Sequence, residues 1–276
     1  MDTNHHRIYE HARCYDVAFG FRDVAAECDT LAALAARHTG RPVTRMLELA
    51  AGPARHAREF ARRGAAATAL DASPAMLDYA LERAAHHGVP LQALCADMCD
   101  FRLPQRVDLA VLLMDSASYL LDNDAVLRHL GCVAEALGDD GLYVLEMSHP
   151  RDAFGVGASA NTQWTSEDDG LRVDMRWGAA GDVFDPVTQV EDVTVTMDWS
   201  APAAAGSWSS ARGSAAARPT SSMRWCAPAA ASTSSRSSVR WRHLSRSATT
   251  PPRGAWCRCC ANGRRLDRET LAPSMS

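Results

Sequence analysis

"LELAAGPARHA", Leu47 to Ala57, follows an apolar run and opens an Ala/Arg-rich stretch, in the position of a glycine-rich cofactor loop that has kept only Gly52. The residues before it, "TRMLELA", read as a short apolar strand. Those after it, Pro53 to Arg63, read as a helix, with Pro53 suited to the first helical position and Gly64 to the C-terminal cap. A strand, a glycine turn and a helix form a unit whose turn offers backbone amides to a ligand.

Similar units follow. "AATAL" ends in Asp71, and the next helix is opened by Ser73 as cap with Pro74 just inside. "LQALCA" ends in Asp97, "VDLAVLLM" leads into Asp115, and a helix over about 124–137 runs through "GDDG" to a fifth strand, "GLYVLEM". Upstream, Arg22 to His38 reads as a helix with Val24, Leu31, Leu34 and Ala35 on one face. Strands alternating with helices predict an α/β, Rossmann-like open and mostly parallel sheet with helices on both faces. After Pro150 the period becomes two in "TQWTSEDDGLRVDMRWG" and "TQVEDVTVTMDW", predicting a small antiparallel β insertion over 151–199, able to cover a ligand cleft or to pair two subunits as a homodimer.

The net charge of −4 conceals two different stretches: residues 1–200 hold 17 Arg and 31 acids, whereas 201–276 hold 12 Arg against Asp267 and Glu269 alone. The later stretch contains "SSMRWCAPAAASTSSRSSVRWRHLSRSATTPPRGAWCRCC", has no Ile, Phe or Tyr, and follows neither a helical nor a strand period. The chain has no lysine and is rich in Ala, Arg and Gly, as expected of a GC-rich gene, and reading such a gene out of frame gives this Ser/Arg/Ala/Pro/Cys/Trp mixture. The expectation is a frame slip near 200–206, an aberrant, disordered tail over 200–276, and last strands that are missing. The plain alternative is a Ser/Arg/Ala linker or interaction tail. Nucleic acid is not the expected partner. No apolar run approaches the roughly 20 residues of a membrane span, and no leader is visible, which predicts a cytoplasmic protein. Nine cysteines without a compact secreted framework predict reduced thiols, with Cys95 and Cys99 as core or helix-face residues and no metal.

In an open parallel sheet the ligand lies beyond the carboxyl ends of the strands, so residues 50–54, 71–73, 97–98 and 114–119 should line one crevice. Asp71 follows Gly52 by 19 residues, close to the spacing of an acid that binds ribose hydroxyls. A dinucleotide fits so far. Ala54, however, places a methyl where a dinucleotide loop prefers glycine, Pro53 has no N–H, and Glu48 would repel a phosphate. A ribose-bearing cation without phosphate suits the loop better, and S-adenosylmethionine meets that description.

"LELAAGPARHA", "ALDASPAMLDYA", "CADMCDF" and "VDLAVLLMDSASYL" resemble, in order and spacing, the successive motifs of class I S-adenosylmethionine-dependent methyltransferases. They look most similar to small-molecule members with an N-terminal "YD" helical cap, here Tyr15–Asp16, and a β insertion after the fifth strand, over residues 7–199. The resemblance implies a cofactor domain over 1–150. In it Glu48, Ala50 and Gly52 would hold the methionine portion, Asp71, followed by Ala72, the ribose hydroxyls, and Met76 an apolar face of adenine. Asp97 would accept from the adenine amino group, the Met98 amide would meet a ring nitrogen, and Met114 would lie near the sulfonium. Taken singly, Asp71 reads equally as a helix cap, and Met76 and Met98 as core. The expected reaction is methyl transfer to an N or O atom of a small molecule. Tyr15 is the candidate lid, and Asp115 and His149 are candidate bases, followed by His11, Glu146 and Tyr119. A packed aromatic at Tyr15 and a surface loop histidine at His149 are the plain readings. The other functional readings are a catalytically impaired cofactor-binding protein and a nucleotide-dependent oxidoreductase. The family fold also implies a final antiparallel pair of strands beside the fifth.

Overall fold

A computed structural model describes residues 7–147, 162–185, 187–188, 190–201, 204–209, 213–217, 240–244 and 255–260. Five parallel strands form its centre: β1 (Arg45–Leu49), β2 (Ala66–Asp71), β3 (Gln92–Cys95), β4 (Val107–Leu112) and β5 (Leu137–Met147), in the order β3-β2-β1-β4-β5. Four helices pack on them: α2 (Val24–Thr39), α3 (Arg55–Arg62), α4 (Pro74–His86) and α5 (Asn123–Ala136), preceded by the short α1 (Ala12–Ala18).

The two-residue period of the strands sorts the core into two faces. Met46, Leu109, Val111, Leu142 and Val144 pack with Leu31, Ala57, Phe60 and Ala80 of α2, α3 and α4. Leu47, Leu49, Ala110, Leu112, Tyr143 and Leu145 pack on the other face with Val133 and Ala136 of α5. Burying each large apolar side chain is worth roughly 1.5–3 kcal/mol, which holds the helices against both faces of the sheet. The sequence expectation of a Rossmann-like, mostly parallel sheet holds.

Local chemistry sets the helix ends. The Asp23 carboxylate accepts from the Ala26 amide (3.1 Å), so α2 begins at Val24, and Gly40 ends it with φ 72°. Ser73 caps α4 through the Met76 amide, with Pro74 inside the first turn. Pro53 departs from expectation: it lies before the first turn of α3, and Ala54 is the N-cap. "GDDG" is also no separate turn, because β5 already begins at Leu137 and shifts register against β4 between Val107 and Leu109.

The β insertion forms around β6 (Thr162–Asp168), β7 (Leu171–Trp177), β8 (Phe184–Asp185), β9 (Val190–Val193) and β10 (Val195–Ala201). It extends through β11 (Ala204–Ser209) and β12 (Gly213–Ala217) into two antiparallel sheets, β11-β10-β7-β6 and β12-β9-β8. "EDDG" makes the β6–β7 turn, with Asp169 and Gly170 at φ 45° and 72°. The inward residues Leu171, Val173, Met175, Val195 and Met197 share a third core with Ile8, Cys14, Val17 and Ala18. The Ala18 carbonyl accepts from the Trp164 indole (2.7 Å) and the Ser166 hydroxyl (3.1 Å). The insertion therefore carries the N-terminal cap.

The expectation of missing last strands is corrected. β13 (Arg240–Leu244) and β14 (Ala255–Cys260) form an antiparallel pair, and β14 pairs with β5 from Leu142 to Met147, giving the order β13-β14-β5-β4-β1-β2-β3. Backbone hydrogen bonds make this ladder and do not require an alternating side-chain pattern.

Candidate active site

The carboxyl ends of β1 and β4 open into a crevice roofed by α1. Its wall brings together Tyr15, Asp16, Phe19 and Arg22 of the cap, Glu48 to Pro53 of the loop, Arg55 and His56 of α3, and Leu113, Met114 and Ser116 after β4. Of the expected residues, Tyr15, Glu48, Ala50, Gly52 and Met114 meet here.

The loop is bent by three left-handed residues, Ala50 (φ 46°), Gly52 (φ 51°) and Ala54 (φ 53°). The alanines thus adopt the conformation for which glycine is favoured, at roughly 1–2 kcal/mol each. Two carboxylates hold the bend. Asp71 accepts from the amides of Gly52 (2.7 Å) and Ser73 (2.8 Å), while Glu48 accepts from the Ala57 amide (2.7 Å) in the first turn of α3. Ala54 has no side chain with which to cap that helix, so Glu48 does so from β1, placing negative charge at the positive end of the helix dipole. Burial, opposed by these backbone hydrogen bonds, leaves the Asp71 carboxyl above its ordinary pKa.

Beside the loop, carboxylates and cations form a chain. The His56 ring joins Glu48 (3.1 Å) to Glu27 (2.7 Å), Glu27 holds Arg22 (2.9 Å), and Arg22 makes a two-pronged contact with Glu146 (3.1 and 3.0 Å). Glu146 accepts from the Met114 amide (2.9 Å). Burial works against charge on His56, but hydrogen bonds to both carboxylates win and raise its pKa to about 9. Period two explains the assembly: Glu48 and Glu146 continue the rows of Met46 and Val144 on the sheet face that α2 and α3 cover. Of this chain, sequence reading found Glu48 and ranked Glu146 as a weaker candidate, but it missed Arg22, Glu27 and His56. Glu27 stands out as a charge on the otherwise small and apolar α2, but Arg22 precedes that helix and His56 sits among the charged residues of α3, so neither is marked in the sequence.

A second clasp fixes the cap. Asp16 takes Arg55 Nε (2.5 Å) and the Tyr79 hydroxyl (2.9 Å), and Arg55 Nη2 donates to the Asp16 carbonyl (2.8 Å). Tyr15 is consequently set against Gly52, where an added Cβ would meet its ring at 3.7 Å. Its ring packs on Phe19 and Tyr9, the Tyr9 hydroxyl meets that of Tyr119, and burial first, with nearby acidic groups, raises the Tyr15 pKa.

The remaining expected residues lie apart from this wall. Ala72 is exposed beyond Asp71. Met76 is fully buried in α4, so the side chain expected against adenine is core. Asp97 is exposed and bends its own loop by accepting from the Cys99 amide (2.7 Å). Met98 is half-buried, and its carbonyl accepts from His129 Nδ1 (2.9 Å). His129 Nε2 in turn takes the Tyr143 hydroxyl (2.7 Å), and burial lowers the pKa of the ring. Asp115 follows Met114, also left-handed at φ 58°. His11 stacks on Trp199 outside the crevice. His149 lies outside the described residues. Cys95, expected in a core or on a helix face, is exposed on β3.

Residues 46–141 match the family described as methyltransferase domain. The matched segment spans β1 into β5 and contains Glu48, His56 and Met114 of the charged chain, but not Arg22, Glu27 or Glu146. The chain is similar in fold to the sugar N-methyltransferase KedS8 from Streptoalloteichus (19% identity, 90% of this chain and 93% of that one, TM-score 0.67). It is also similar to the S-adenosylmethionine-bound amino pentose methyltransferase CalS10 from Micromonospora echinaspora (20%, 89% and 96%, TM-score 0.64). A third is Streptomyces venezuelae DesVI (23%, 75% and 84%, TM-score 0.63). No curated protein sequence matches the chain. Among the described residues no helix is long and apolar enough to cross a membrane.

Proposed function

We propose that this methyltransferase domain transfers a methyl group from S-adenosylmethionine to an amine nitrogen of a small molecule, with amino sugars as the first acceptors to try. One observation carries the reading: every cation on the crevice wall is already held by carboxylates. Arg22 is held by Glu27 and Glu146, Arg55 by Asp16, and His56 by Glu48 and Glu27. No guanidinium there is left to pair with a pyrophosphate, which disfavours the oxidoreductase reading. With His56 protonated, four carboxylates face three cations, a lining suited to a ligand that carries one excess positive charge.

S-adenosylmethionine has that charge, and the donor set fits its ribose as well. A carboxylate accepts about four hydrogen bonds, and those from the Gly52 and Ser73 amides leave Asp71 capacity for a diol. We assign the loop residues Glu48, Ala50 and Gly52 to the methionine side, Asp71 and Ala72 to the ribose, and the loop of Asp97 and Met98 to adenine. When bound, the cofactor supplies a methyl activated by its sulfonium. The protein's own task is alignment and exclusion of water, which can supply several kcal/mol. Tyr15 and Phe19 roof the crevice. Tyr15, kept protonated by burial, donates a hydrogen bond rather than acting as a base. Asp115, at the exit of β4, is the carboxylate we assign to take the acceptor's proton. A cofactor domain over 1–150 is part of the same proposal, with the insertion continuing past residue 199 through β11 and β12. KedS8 is by its name a sugar N-methyltransferase and CalS10 an amino pentose methyltransferase, which supports nitrogen as the acceptor atom.

The test is incubation with methyl-labelled S-adenosylmethionine and matched pairs of amino and hydroxy sugars, read by mass spectrometry and NMR. Label on nitrogen supports the proposal. Label on oxygen alone overturns the acceptor assignment.

A further inference from the structure

The chain of charges beside the crevice is more extensive than a ligand site requires: Arg22, Glu48 and His56 are on the wall, and Glu27 and Glu146 pair with them from outside it. His56 and Glu48 are 4% and 5% exposed. Glu48 spends one oxygen on His56 and the other on the Ala57 amide. At the far end Glu146 accepts from the Met114 amide, and Met114 and Asp115 are consecutive left-handed residues, each with a side chain. Two such residues in a row need outside support to hold their shape. Glu146 supplies it only while Arg22 orients its carboxylate, and Arg22 is oriented by Glu27, which His56 anchors from the other side.

We propose that His56 is a positioning residue: through Glu27, Arg22 and Glu146 it holds the Met114 peptide at the crevice wall, coupling the turn after β4 to the cofactor loop after β1. This rests on the methyl-transfer reading for its purpose, since the turn after β4 is where the reacting groups would meet, but its geometry stands without it. The groups that meet His56 are Glu48 from β1 and Glu27 and Cys28 from α2, with Arg22 on the far side of Glu27. The Cys28 thiol donates to the His56 carbonyl (3.9 Å) and is kept protonated by burial. The two carboxylates are therefore the partners that decide the charge of the ring, and the relay is intact while the ring is an imidazolium that donates from both nitrogens. A neutral imidazole has one donor, so it must release Glu48 or Glu27.

The experiment uses the full chain without ligand. Amide hydrogen exchange at Met114, resolved by NMR, is compared in the wild type, His56→Asn, Glu27→Gln and Glu146→Gln, with the Val111 amide inside β4 as internal reference. The expected result is exchange at Met114 at least about tenfold faster in all three variants, with the reference changed by much less. In the wild type alone, Met114 should also lose protection, beyond the base-catalysed trend of the reference, as pH passes about 9. Folded His56→Asn and Glu27→Gln proteins with unchanged Met114 protection would overturn the relay; if one variant fails to fold, the other decides. Titration of S-adenosylmethionine into the same samples separates the two readings. A wild type that binds no cofactor yet shows the Met114 effect removes the methyl-transfer reading and leaves the relay standing. Normal binding with no Met114 effect removes the relay alone.

Discussion

The loop after β1 and the turn after β4 leave adjacent central strands side by side, and both run through left-handed residues that carry a Cβ: Ala50 and Ala54 in the first, Met114 and Asp115 in the second. They differ in what holds them. The first is secured by short contacts, from Glu48 eight or nine residues away and from Asp71 at the end of the neighbouring strand. The second depends on Glu146, 32 residues onward, and on Arg22, which lies 124 residues before Glu146 in sequence. A strained backbone at a ligand site can thus be supported locally or from a distance, and only the local kind leaves a compact motif.

The largest expected effect breaks the distant support. Arg22→Leu leaves Glu27 and Glu146 without their shared cation, and removing one partner of a buried ion pair typically costs about 3–5 kcal/mol. Urea unfolding should show a loss toward the lower end of that range, since Arg22 keeps 14% of its side chain exposed. Asp71→Ala, which orphans the Gly52 and Ser73 amides, should cost less, about 1–3 kcal/mol, in the same measurement.

A pH titration sharpens the contrast. The folded-state pKa of His56, about 9, lies above an ordinary unfolded value of about 6.5. Its contribution to stability is therefore complete below about pH 6.5 and is lost as pH rises through about 9, on the order of 3 kcal/mol in all. Unfolding free energies from pH 6 to 10 should fall in the wild type and stay flatter in His56→Asn. An identical slope in the two would show that the ring is not held as a cation.

The smallest effect concerns the local bend. Ala50→Gly relieves a left-handed alanine but adds freedom to the unfolded chain, so the net change in stability should be within about 1 kcal/mol and on the stabilising side. Ala54→Gly should do worse than Ala50→Gly, because Ala54 is fully buried and its methyl contributes to the core. Thermal denaturation of the two variants side by side orders them.

The central sheet was legible because its strands are short apolar runs with turn residues between them; all six residues of β4 are buried. The bend after β1 was legible from Gly52 and Asp71, which the structure joins by a hydrogen bond of 2.7 Å. Arg22, Glu27 and His56 were not, because their roles come from pairings across the fold, and each alone is an ordinary charge on a helix or loop. His56 stood within the quoted motif but had no visible partner until α2 was laid over α3. β13 and β14 were missed for another reason: "RWRHL" and "AWCRCC" lack alternation, and their ladder is made by backbone groups. The proposed frame slip near 200–206 is a separate matter, decided by sequencing the gene against a close relative, where an uninterrupted matching frame would remove it.

The most direct test of the whole account is calorimetric titration of S-adenosylmethionine into the purified protein, with Asp71→Ala as control and circular dichroism to verify that both are folded. The expected result is saturable binding at one site per chain, weakened at least about a hundredfold by the substitution. A folded wild type that binds no S-adenosylmethionine, or an Asp71→Ala protein that binds it equally well, would contradict the assignment of this crevice.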